Sequence, residues 1–132
     1  MSPRSVVLAW VEAFNSADAD RLAALYAPDA VNHQMAYGPL AGRDAIRAMF
    51  AMEFGRAQMV CVIEQILVDG EWAVLEWSDP KGFRGCGFFR VAGDQIVFQR
   101  GYFDRLQFYE AQGIDVAQAA ATEAAMKQGK TT

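Results

Sequence analysis

Residues 96–113 read I-V-F-Q-R-G-Y-F-D-R-L-Q-F-Y-E-A-Q-G, and the fold is decided by how this stretch is read. Taken as a strand, Ile96, Phe98, Arg100, Tyr102 and Asp104 share one face, because successive side chains alternate. A guanidinium, a phenol and a carboxylate then follow an isoleucine and a phenylalanine on the same side. Either that face turns to solvent at Arg100, or it lines a pocket that uses polar chemistry. Past Asp104, residues 106–112 read as a short helix that stops at Gly113, a residue favoured just beyond a helix end.

Working backwards, the period stays that of strands. Residues 59–68 form an apolar, β-branched run, and Asp69-Gly70 after it is a hairpin signal. Residues 71–78 make a second strand, Asp79-Pro80-Lys81-Gly82 a turn, residues 83–92 a third strand, Gly93-Asp94 another turn, and residues 95–104 the last strand. Tight turns between consecutive strands predict an antiparallel meander. The R-G-C-G run at 84–87 predicts a bend or bulge that curves the sheet; a phosphate loop would need a helix directly after it.

Further upstream the period is helical. Ser2-Pro3 suits a helix start, and Val7, Trp10, Val11 and Phe14 recur at three- and four-residue spacing as far as Asn15. Asp18 caps a second helix carrying Leu22, Leu25 and Tyr26, which Pro28 ends. Residues 30–33 are short and extended, Gly38-Pro39 and Gly42 punctuate a loop, and a third helix carries Ile46, Met49, Phe50 and Glu53. Helices first and strands afterwards make the class α+β. Several strands are apolar on both faces, so the sheet is expected to be covered on both sides, by the helices and by a second subunit.

Composition narrows the function. The 132 residues suit one domain, and 53% hydrophobic residues place it among globular proteins. A net charge of −4, with Lys81, Lys127 and Lys130 scattered, argues against nucleic acid as a partner. No stretch is long and apolar enough to cross a membrane, and Glu12 comes too early for a signal peptide, so the expected location is cytoplasmic. Cys61 and Cys86 read as buried free thiols; with a single histidine, they leave no zinc site to expect. The domain spans residues 1–114, and the alanine-rich residues 115–132 read as a weak helix fraying into a disordered tail.

Three segments carry a family likeness: N-S-A-D-A-D-R-L-A-A-L-Y-A-P-D-A-V (15–31), G-P-L-A-G-R-D-A-I-R-A-M-F (38–50), and the last strand with its helix. Together they span about residues 5–114 and resemble the SnoaL-like branch of the nuclear-transport-factor-two-like superfamily. The resemblance implies a cystatin-like α+β roll: a cone-shaped, strongly curved, mostly antiparallel sheet wrapped over three N-terminal helices around an apolar cavity. It also implies a homodimer packed through the outer sheet face. Relatives of this type include polyketide cyclases, ketosteroid isomerases, epoxide hydrolases and dehydratases. The fold alone does not choose among them.

The resemblance makes Asp104, on the last strand, the acid/base candidate; the residues themselves equally allow it to cap the helix that follows. His33 has the side chain suited to proton transfer near neutral pH, and Tyr102 could donate to a developing oxyanion. Arg100, about 13 Å along the strand from Asp104, could pair with it, bind an oxyanion or stand at the surface. Glu76 is a second pocket acid or the ion-pair partner of Arg84 or Arg90. Trp10, Phe14, Tyr26, Tyr37, Phe50 and Phe88 are expected to line the cavity or fill the core. No second aspartate matches the epoxide hydrolase pattern, which counts against that reaction. The expected activity is proton transfer on a small hydrophobic carbonyl compound without a cofactor. The alternatives are a non-catalytic pocket for an apolar ligand and a dimeric interaction domain.

Overall fold

The computed structural model describes residues 1–131; Thr132, the end of the expected tail, lies outside the described residues. Helix α1 (Pro3–Asn15) starts where the sequence signals it: Ser2 Oγ accepts from the Ser5 amide at 3.1 Å and Pro3 occupies the first turn. Its apolar stripe, Val6, Val7, Trp10 and Val11, is buried against the sheet. Helix α2 (Ala19–Ala23) is capped by Asp18, whose carboxylate accepts from the Arg21 amide.

At Tyr26 the structure corrects the helical reading. Strand β1 (Tyr26–Gln34) begins there, and β2 (Gly38–Ala41) returns antiparallel to it across a short turn, where a loop was expected. Helix α3 (Arg43–Arg56) then crosses the sheet with Ile46 and Phe50 buried, and Arg43 Nε ties its start to the Tyr26 carbonyl at 2.8 Å. Strands β3 (Val62–Asp69), β4 (Trp72–Ser78), β5 (Arg84–Ala92) and β6 (Gln95–Phe103) form the antiparallel meander. The sheet order is β2-β1-β6-β5-β4-β3, so β1 lies parallel to β6 and the curved sheet stays unclosed. Helix α4 (Arg105–Gln112) ends at Gly113, in the left-handed region at φ 68°. Helix α5 (Val116–Thr131) follows and contacts α4. The described chain is thus α+β, with α1 and α3 packed into the concave side of one mixed sheet.

The β5–β6 register decides which side chains face the core. Arg90 pairs with Phe98 and Val91 with Ile96, which leaves Val97 as an extra residue on β6, a β-bulge. Across a bulge the simple alternation fails. Ile96 is fully buried and Val97 packs against the same core, yet Phe98, Arg100 and Tyr102 lie on the outer face. The inner face after the bulge belongs to Gln99, Gly101 and Phe103. No bulge occurs at residues 84–87, where the β4–β5 register runs unbroken. Gly85 is there for space: a Cβ on it would come within 2.4 Å of the Trp77 ring.

Candidate functional site

Between α1, α3 and the concave face lies a cavity of about 110 Å³. By that measure a single water needs roughly 10–15 Å³, so the space suits several waters or one small molecule. Aromatic rings build two of its walls. Trp10 stacks on Phe14 with centroids 5.1 Å apart and meets Phe89 edge-on at 5.3 Å. Opposite, Trp77 packs on Phe83 at 5.4 Å, and Phe108 of α4 meets Phe83 at 5.6 Å and Phe103 at 5.9 Å.

A line of polar groups runs along the β1–β6 wall. Trp10 Nε1 donates to Tyr26 Oη at 2.9 Å, and the Tyr26 hydroxyl donates in turn to Gln99 Oε1 in a short contact. Burial raises the Tyr26 phenol far above its ordinary value, against a smaller downward pull from the Trp10 bond, so it stays protonated. Beside this relay, Gln34 Nε2 donates to Asn32 Oδ1 at 2.8 Å. Gln34 lies over Gly101, where an added Cβ would come within 2.1 Å of its amide oxygen.

Two carboxyls reach the cavity. Asp79 is committed to its turn: Oδ1 accepts from the Lys81 amide at 2.7 Å and Oδ2 from the Val60 amide at 3.3 Å. Glu53 stands on the inward stripe of α3 with Met49 and Phe50, and among the described residues no hydrogen bond holds its carboxyl. Burial raises its pKa, opposed by the positive charge of Arg56 nearby. Cys61 also lines the space; burial, helped by the Asp79 charge, pushes its thiol up to about 12, so it is an inert wall group. Both cysteines are free, though Cys86 is half-buried where full burial was expected.

The residues singled out from sequence divide between the two sides of the sheet. Trp10, Phe14, Tyr37 and Phe50 line the cavity, and Tyr26 stands behind its polar wall. Asp104, His33, Tyr102, Arg100, Phe88 and Glu76 are not among the lining residues. Asp104 is exposed and caps α4, accepting from the amides of Leu106 at 2.9 Å and Gln107 at 3.3 Å. His33 pairs with Arg100 in the register, which puts it outside next to that strand. The Arg100 guanidinium lies 4.7 Å from the Phe88 ring and 5.0 Å from the Trp72 ring. Glu76 approaches Arg84 at 4.0 Å, while Arg90 pairs with Glu71 at 3.1 Å.

On β6 the bulge is the physical reason, because it moves Arg100 and Tyr102 to the outer face; His33, Glu76 and Phe88 stand outside by the alternation of their own strands. Gln99 and Phe103 escape a reading built on Ile96, although a strand read from Phe103 backwards would have placed Gly101 and Gln99 beside it. Trp77, Phe83, Phe89 and Phe108 are also cavity residues that the sequence reading left unassigned.

A SnoaL-like domain model matches residues 7–99, so the likeness ends within β6 and leaves out the helix after it. No curated protein matches the chain. Among solved structures, a protein with a ketosteroid isomerase-like fold from Catenulispora acidiphila, in complex with trimethylamine, superposes with a TM-score of 0.76 at 19% identity. The match covers 87% of this chain and 96% of that one. IdmH of Streptomyces antibioticus, a proposed polyketide cyclase, gives 0.74 at 20% identity over 86% and 100% of the two chains. An LEH-like epoxide hydrolase of M. tuberculosis gives 0.72 at 23% identity over 82% and 86%. These identities speak for the fold, and the matched residues settle the family: the chain belongs to the SnoaL-like domain family.

Proposed function

We propose that this domain takes a small, mostly apolar carbonyl compound into its cavity and moves a proton on it without a cofactor, as a cyclase, isomerase or dehydratase does. The observation that carries this reading is Glu53. It is a carboxyl on the cavity wall, beside the aromatic rings that would hold an apolar substrate, with its pKa raised by burial. A base whose pKa climbs towards the working pH gains driving force to take a proton and still gives it back. Glu53 removes a proton from the carbon next to the carbonyl, the electrons move to the carbonyl oxygen, and the same carboxylic acid returns a proton to carbon or oxygen.

Exchange of the α-hydrogens of cyclohexanone in D2O, followed by NMR, tests this directly. The parent protein should speed exchange above buffer, and Glu53→Gln should lose that excess while still binding the ketone. Exchange equally fast in the variant would sink Glu53 as the base. Stability gives an independent readout. A raised folded pKa means the folded state holds the proton more tightly, so Glu53 favours folding below the ordinary glutamate range and loses that contribution as pH rises through the raised value. Glu53→Gln should therefore be at least as stable as the parent at neutral pH, with a flatter dependence on pH.

A further inference from the structure

Each polar group on the β1–β6 wall has a fixed direction, and together they leave hydrogen-bond donors unused. Indole nitrogen is a donor only, so the Tyr26 oxygen must accept from Trp10, and the single phenolic proton then goes to Gln99 Oε1. That pins the Gln99 amide with its oxygen turned to Tyr26 and its Nε2 turned away. Gln99 is 3% exposed and lines the cavity, and no described residue accepts from its Nε2. Its register partner on β1 is Asn32, 2% exposed, whose Oδ1 is taken by Gln34 and whose Nδ2 is buried with no partner. Of these two neighbouring amides only Gln99 lines the cavity, while the Asn32 N–H is buried behind that wall, so Gln99 Nε2 is the unpaired donor that faces the space.

We infer that Gln99 Nε2 forms the recognition site for an uncharged, hydrogen-bond-accepting oxygen, such as a ketone, ester or lactone carbonyl. The inference rests on the cavity being a ligand site, and it adds which chemical group is selected and by which atom. The electrostatics restrict the class further. The lining contains carboxyls at Glu53 and Asp79 but no lysine, arginine or histidine, so a carboxylate ligand would be repelled without compensation. A hydrocarbon would fit the rings yet leave the Gln99 amide unsatisfied. Tyr26 and Trp10 act through Gln99: they are positioning residues that set the direction of its amide.

The test uses three ligands built on the same six-membered ring: cyclohexanone, methylenecyclohexane and cyclohexanecarboxylate, titrated into the whole chain by calorimetry or by fluorescence of the tryptophans lining the cavity. The parent should bind the ketone about tenfold more tightly than the oxygen-free analogue, as expected for one net hydrogen bond, and should refuse the carboxylate. Gln99→Met should bring the ketone-to-hydrocarbon ratio close to one while the hydrocarbon still binds. Gln99→Leu, a branched apolar side chain that also lacks the amide donor, should lower the same ratio and serves if the first variant does not fold. An unchanged ratio in the folded variants, or no preference for the ketone in the parent, overturns the inference while the cavity reading stands. Failure of all three compounds to bind the parent overturns both.

Discussion

The two faces of β6 carry opposite chemistry within a single strand. Inside, Gln99 and Gly101 present neutral amide surface among aromatic rings; outside, Arg100 sits between Trp72 and Phe88, with Tyr102 beyond. A carboxylate or guanidinium facing the cavity would pay a large desolvation cost unless paired, whereas an amide pays little once hydrogen-bonded. The chain therefore keeps its permanent cations outside and lines the cavity with neutral amides and two carboxyls, Glu53 and Asp79. Charged residues near a cavity are poor guides to its function unless the register is known, because one extra residue decides which side they occupy.

The comparison is sharpest at two adjacent phenylalanines on β5. Phe89 is 1% exposed and packs on Trp10, while Phe88 lies outside against Arg100 and Tyr102. Phe89→Ala should cost about 3–5 kcal/mol in urea unfolding, the usual range for a large aromatic removed from a core. Phe88→Ala should cost under about 1 kcal/mol, the scale of an exposed cation–π contact. Equal losses would break the inside–outside distinction. A large Phe88 effect that grows with protein concentration would instead reveal the second copy expected on the outer sheet face.

Tyr26→Phe probes the inner face alone. Removing the hydroxyl leaves Trp10 Nε1 without its acceptor and Gln99 Oε1 without its donor. The expected loss is about 1–3 kcal/mol, the cost of stranding buried polar groups. The freed Gln99 amide can then rotate, so the preference for a ketone over its hydrocarbon analogue should shrink as well. A stability loss with that preference intact would show that the relay supports the fold and does not orient the amide.

Much of this architecture is legible from the sequence, and the exceptions share a cause. Caps at Ser2, Asp18 and Asp104, the turns at Gly70, Gly82 and Gly93, and the helical stripes all depend on residues close together in the chain. What escaped is non-local. Tyr26 belongs to β1 because it pairs with Ile96, about seventy positions away, and no local pattern announces a parallel partner at that separation. The bulge at Val97 is likewise defined only against β5. The cavity rings on the helices follow from local periodicity, whereas Gln99 on the polar wall depends on the β6 register that the bulge resets. Glu53 was visible on its helix face, but its place in the cavity depends on packing that periodicity alone does not reveal.

The smallest expected effect concerns the residue on which the family resemblance placed most weight. Asp104 sits on the exposed side and bonds two amides of the first turn of α4. Asp104→Ala should cost about 1 kcal/mol, the usual loss of an N-cap, whereas Asp104→Asn should cost little because asparagine caps comparably. Neither should alter the exchange of cyclohexanone α-hydrogens, since Asp104 is absent from the cavity wall. The two variants separate the roles because asparagine keeps the capping oxygen and removes only the titratable proton. If Asp104→Asn stops exchange while stability holds, the working acid reaches substrate from outside the cavity described here, and the contrast between the two faces of β6 no longer locates the chemistry.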